Sequence, residues 1–217
     1  MTRIERNLPR AMCRQSGFSL LEMVMVMAIA TVAASITFLS LQPALKQQRV
    51  TNAYNTVLSA MRQARDNAIG QRAAYTVTFS TASVPHTIRI EPTFAGFQGA
   101  LSPATYSLPN DVRFDNEPGI PTNNQFVPDR FGTASNAVDF GYTGQGVGVG
   151  GSKVLYFCPD GSAQDSPQCT GNVNNGVVYI ARPGELYSSR AITLWGATGR
   201  IRGWRLYTSG GAVWQRQ

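Results

Sequence analysis

The chain is poor in charge, histidine and cysteine. Only 14% of its 217 residues are Asp, Glu, Lys or Arg, with one histidine, His86, and three cysteines. Most general-base and metal-assisted schemes need His, Cys and carboxylates at fixed spacings, and no such grouping occurs here. His86 begins a predicted strand, where a surface or edge role is expected. The run GQGVGVGG formally contains G-x-G-x-x-G at Gly146, Gly148 and Gly151. A dinucleotide site needs a strand before that motif and a helix after it. SKVLYF follows and reads as a strand, so a loop is expected. No catalytic residue, no metal and no cofactor is expected.

Charge is also missing locally. From Met23 to Gln42 there is none, and between Phe18 and Lys46 the one charged residue is Glu22. An apolar stretch of this length spans a bilayer as a helix. Arg3, Arg6, Arg10 and Arg14 precede it against one acid, Glu5. They hold the N-terminus on the cytoplasmic side and send the rest across. Without that leader the formal charge falls from +7 to +4, and six arginines with one acid lie between Arg182 and Gln217.

Glu22 selects among readings of the apolar stretch. A conventional signal peptide places small residues after its core, whereas Ser16 and Gly17 come before it. A plain anchor leaves the carboxylate unexplained, at a cost of about 2.5–3.5 kcal/mol in a bilayer centre and less near its surface. Cleavage between Gly17 and Phe18 would create an α-amine four residues before Glu22, about one helical turn away. That amine, in the same chain or a neighbour, can neutralise the carboxylate.

GFSLLEMVMVMAIA, from Gly17 onward, resembles the class III signal of type IV pilins and type II secretion pseudopilins. Gly17, Phe18, Ser19, Leu20, Leu21 and Glu22 match it position by position. The resemblance implies cleavage after Gly17 by a prepilin peptidase and N-methylation of Phe18. It further implies assembly with other pilins into a filament, with Glu22 setting register. Many members carry a proline about four residues before the position of Pro43, so any helix kink would be displaced here. The implied location is the bacterial inner membrane, single-pass, with the C-terminal domain periplasmic.

Beyond the span, Val50, Tyr54, Val57, Leu58, Met61, Ala64, Ala68 and Ile69 recur at spacings of three and four. They form one apolar helical stripe. The expected organisation is a leader over 1–17, an apolar helix over 18–45, and a domain over 46–217 whose amphipathic helix runs to about residue 72. Strands are expected at Ala74–Ser80 and His86–Pro92, then at Thr105–Leu108, Val112–Phe114, Gln125–Phe131, Ala137–Phe140, Lys153–Phe157, Gly176–Ala181, Arg190–Trp195 and Arg200–Tyr207. The fold class is α+β, a long helix packed on antiparallel sheets.

YFCPDGSAQ and RAITLWGATGRIRGWR are similar to the strand-turn and closing strands of the GspH/FimT group. Residues from about Pro92 to Lys153 carry no diagnostic pattern. Cys158 and Cys169 bound a short Gly/Pro/Asp-rich loop, a disulfide in an oxidising compartment or otherwise two free thiols. Cys13 lies in the leader.

Arg200 and Arg202 are two apart and share a strand face. Arg205 falls on the other face unless a bulge at Gly203 returns it. Arginines beside Trp195, Trp204, Tyr207 and Trp214 suit single-stranded nucleic acid. Gly199, Arg200 and Arg202 match the GRxR pattern of DNA-binding FimT proteins. Equally, such arginines solvate an edge strand or meet acidic groups on neighbouring pilins. A pilus or pseudopilus subunit is thus expected, with DNA as the alternative partner.

Overall fold

The computed structural model describes residues 17–94, 102–123, 125–142 and 151–217. Among these are one long helix, α1 (Leu20–Gln71), and ten strands: β1 (Tyr75–Ser80), β2 (Thr87–Pro92), β3 (Ala104–Ser107), β4 (Val138–Tyr142), β5 (Val154–Phe157), β6 (Ala163–Gln164), β7 (Asn175–Ile180), β8 (Arg190–Trp195), β9 (Arg200–Thr208) and β10 (Ala212–Arg216). The chain divides into two compact units, residues up to Ala44 and Leu45–Gln217.

In the first unit the helix is apolar on every face, and its large side chains, among them Leu20, Ile29, Ile36 and Phe38, are exposed. A helix apolar all round belongs in lipid or among other helices. Its hydroxyls suit that setting because they bond back to their own helix. Thr31 Oγ1 donates to Ala28 O at 2.9 Å, Ser35 Oγ to Thr31 O at 2.8 Å, Thr37 Oγ1 to Ala33 O at 2.9 Å, and Ser40 Oγ to Thr37 O at 3.0 Å. In these four residues the hydroxyl proton is satisfied without water.

In the second unit α1 buries Val50, Ala53, Tyr54, Val57, Ala60, Met61, Ala64 and Ala68. The alanines let the helix sit close to its sheets. Ile69 lies outside the buried stripe, 41% exposed. The helix ends with Arg72 in the left-handed region and Ala73 N–H bonded back to Ala68 O at 3.2 Å, which satisfies a terminal carbonyl.

The strands form two antiparallel sheets of five, ordered β3-β2-β1-β5-β6 and β10-β9-β8-β7-β4. One core joins the helix stripe to Tyr75, Phe79, Ile88 and Leu155 of the first sheet and Ile192 and Leu194 of the second. The α+β architecture read from the sequence is therefore the observed one. A second cluster covers the other face of the second sheet. There Ile120, Val127, Phe131 and Ala134 pack over Val177, Tyr179, Ala191, Leu206 and Trp214. Both faces of β7 are thus covered, and all six of its residues are buried.

Two expected strands are corrected. Val112–Phe114 contributes one isolated bridge, Arg113 with Ala181. Within Gln125–Phe131 the chain makes a 3-10 turn, Pro128–Arg130, with Asp129 and Arg130 at φ 49° and 62°. The segment crosses the sheet face as a lid instead of pairing at its edge, and Pro128 offers no N–H to a ladder. β6 and β10 were not expected. β6 is two residues long, too short to alternate. β10 had a signal in the Ser209-Gly210-Gly211 turn before it.

Candidate functional site

A side chain at Gly17 would meet open space among the described residues, and α1 begins three residues later, with Met23 N–H bonded to Ser19 O at 3.1 Å. Glu22 lies in the first helical turn, where the helix dipole favours a carboxylate. Phe18 and Glu22 are both exposed. The leader before Gly17, including Cys13, lies outside the described residues, as do Gly146 and Gly148 of the glycine run.

The three C-terminal arginines do not form one patch. β8 and β9 pair without interruption from Arg190↔Arg205 to Trp195↔Arg200. No extra residue is inserted at Gly203, so Arg205 lies on the face opposite Arg200 and Arg202. The bulge is absent because Gly203 has another use. A Cβ there would stand 1.6 Å from the Tyr54 hydroxyl oxygen, so the missing side chain is the seat of a helix residue.

Arg202 is committed to an internal network. Its Nη1 donates to Asp129 Oδ1, and its guanidinium lies 5.7 Å from the Trp195 ring centroid. The Thr193 hydroxyl donates to Asp129 Oδ2 and accepts Trp204 Nε1–H at 3.0 Å. The Asp129 side chain is 5% exposed and that of Arg202 21%. This network ties the 3-10 turn to the outer face of the second sheet. Of the three, Arg200 is exposed and Arg202 and Arg205 are half-buried. With Arg62, Arg65 and Asp66, Arg200 borders a shallow cavity of about 360 Å³.

Arg65, on α1, explains the two C-terminal motifs together. Its Nε donates to Gly161 O at 3.2 Å and its Nη2 to Thr198 O at 3.1 Å. The first carbonyl belongs to the Pro159-Asp160-Gly161 turn, the second to Thr198-Gly199-Arg200. Gly199 has φ +59°, and a Cβ there would stand 2.0 Å from Gly161 O. The two turns touch through backbone, and a helix arginine clamps them. Within the first turn Asp160 accepts from the Ser162 hydroxyl at 2.6 Å and the Ser162 N–H at 2.8 Å. These bonds pull its pKa down.

Cys158 and Cys169 are joined by a disulfide that closes the loop behind this turn. His86 departs from expectation. It is buried, and its Nδ1 accepts the Phe114 N–H at 3.0 Å while its ring stacks on Phe114. Burial, followed by the charge of Arg113, lowers its pKa. It is a neutral acceptor that holds the Phe114 backbone.

A prokaryotic N-terminal methylation motif matches residues 12–38. No curated protein and no solved structure matches the chain. The motif supports a pilin- or pseudopilin-type subunit, processed by a prepilin peptidase and assembled with other pilins. The apolar helix fits anchoring in the inner membrane.

Proposed function

We propose that the chain is a minor pilin or minor pseudopilin of the GspH/FimT group, a structural subunit of a type IV pilus or type II secretion pseudopilus. One observation carries this reading: Gly17-Phe18-Ser19-Leu20-Leu21-Glu22 opens a helix whose first half exposes its large apolar side chains on every face. Cleavage before Phe18 gives the chain a new positive terminus. Glu22 pairs with such a terminus on a neighbouring subunit, and the exposed helix joins the filament core. The sheet domain stands on the periplasmic side.

Mass spectrometry of the protein from its own cells tests the first step. The mature chain is expected to begin at N-methyl-Phe18. A chain that keeps its leader, or is cut after the apolar stretch, refutes the reading. Glu22→Ala is expected to be processed normally and excluded from filaments. Gene deletion separates the two systems, by loss of protein secretion in one and of pilus motility or DNA uptake in the other.

The geometry favours protein partners over DNA. With Arg202 held by Asp129 and Arg205 on the opposite face, Arg200 is the one exposed arginine of the Gly199–Arg202 motif that a nucleic acid would meet. Salt-sensitive binding of single-stranded DNA that disappears in Arg200→Ala would restore the DNA alternative.

A further inference from the structure

Arg190 and Arg205 stand directly opposite each other in the β8–β9 pairing. Both lie on the sheet face that α1 packs against, in register with Ile192 and Gly203. Arg190 is 3% exposed. Its Nη1 donates to Ser188 O at 3.1 Å and Ser189 O at 3.3 Å. The Nε of both arginines is buried without a hydrogen-bond partner. Like charges directly opposite on a sheet repel, and a buried cation needs a counter-charge. Among the described residues neither has one. Asp111 is taken by Arg49 and Arg182, Glu91 by Arg89, Glu185 by Arg182, and Asp129 by Arg202. Burial and then the charge of Arg205 lower the Arg190 pKa to about 10, so Arg190 is still charged at neutral pH.

The surroundings have the composition of an interface. The Arg205 guanidinium lies 5.0 Å from the Tyr207 ring centroid. Tyr207 pairs across strands with Val213, and both remain exposed, at 36% and 43%. Arginine and tyrosine anchors are the groups enriched where partners dock. The chain is itself basic, +7 with its leader, so a second copy brings more like charge. Complementarity calls for an acidic partner.

We propose that Arg205 and Arg190, with Tyr207 and Val213 beside them, form a docking surface for a carboxylate on a different, acidic subunit of the same filament. This rests on the subunit reading above. Arg205 makes the contact, and Arg190 behind it adds to the field.

The test places the photo-crosslinker p-benzoyl-phenylalanine at Val213 of the full chain in its own cells. The expected adduct joins a second filament subunit through a peptide that contains Asp or Glu. Its yield should fall at least about tenfold in Arg205→Gln and recover in part in Arg205→Lys. Gln215→Glu guards against misfolding as the cause. It sets a carboxylate directly opposite Arg205 in the β9–β10 pairing, so it should raise or preserve thermal stability while reducing the adduct. A chain that begins at methylated Phe18 overturns the docking surface if adduct yield is unchanged in both Arg205→Gln and Gln215→Glu. It does so too if the adduct joins only a second copy, lipid or nucleic acid, or is absent. A chain that keeps its leader overturns the subunit reading, and this inference with it.

Discussion

Replacing Asp129 by Asn tests whether Arg202 is an internal strut. The substitution keeps the side-chain shape, and asparagine tolerates the left-handed backbone at φ 49°. What it removes is the charge facing Arg202. Breaking a buried ion pair by neutralising one partner costs about 3–5 kcal/mol. The Arg202 side chain keeps 21% of its exposure, so the lower end applies, about 3 kcal/mol. For a chain of this size each kcal/mol moves the thermal midpoint by about 2–4 °C, giving a drop of about 6–12 °C. Intrinsic fluorescence of the full chain in detergent micelles is a suitable assay, because all three tryptophans pack in or around the cluster on this sheet face. The companion Arg202→Met leaves Asp129 as the unpaired charge and should cost at least as much. The double variant exchanges the pair for neutral groups and should return to within about 1 kcal/mol of the parent. Additive losses in the double variant, or an Asp129→Asn loss below about 0.5 kcal/mol, would falsify the strut and free Arg202 for an external ligand.

His86 has a depressed pKa when folded, so the unfolded chain binds the extra proton first. Stability should therefore fall as pH drops below the ordinary histidine value of 6.5 toward the lower folded value, and His86→Gln should flatten that part of the profile in pH-dependent melting. The Cys158–Cys169 bridge spans a sequence separation of 11, and closing a loop that short stabilises by a little under about 3 kcal/mol in the chain-entropy treatment. Cys158→Ala/Cys169→Ala should lose about that much in denaturant unfolding, and a reactive thiol at either position in the native, unreduced chain would contradict the bridge.

The sequence was most readable where the chemistry is contiguous. The prepilin-type segment needs six neighbouring residues and an apolar run, and all of it lies in one line. The helix stripe and strands such as Tyr75–Ser80 follow from periods of about 3.6 and two. Legibility failed where a group's partner is remote. Arg65 lies beside the apolar stripe with no local partner in the sequence, and its acceptors lie 96 and 133 residues away. The lid over the second sheet has no period because its irregular backbone contributes single apolar anchors such as Ile120, Val127 and Phe131. His86 was misplaced because its partner, Phe114, is also remote, 28 residues further along the chain. Arg205 was half legible: strand parity placed it opposite Arg200 and Arg202, and only the glycine beside it suggested otherwise.

Gly203 therefore separates two accounts of β9. A bulge would make this glycine a backbone device, and an alanine there would be indifferent to Tyr54. The observed strand instead needs the space. Gly203 is not among the residues with positive φ, so alanine fits the backbone and its whole cost is steric. Its Cβ would stand 1.6 Å from the Tyr54 oxygen and 2.8 Å from the ring carbon bearing it. Tyr54 is 6% exposed and has little room to withdraw. Gly203→Ala should thus cost about 1–3 kcal/mol, as overpacked cores do, with the upper end expected. Tyr54→Leu should itself destabilise, because it shortens a buried side chain. Combined, the two should cost at least about 1 kcal/mol less than their sum, since each removes part of the other's defect. Strict additivity would mean that the helix does not sit on this glycine. The closeness of α1 to the second sheet, and with it the placing of Arg190 near Tyr54, would then need a different cause.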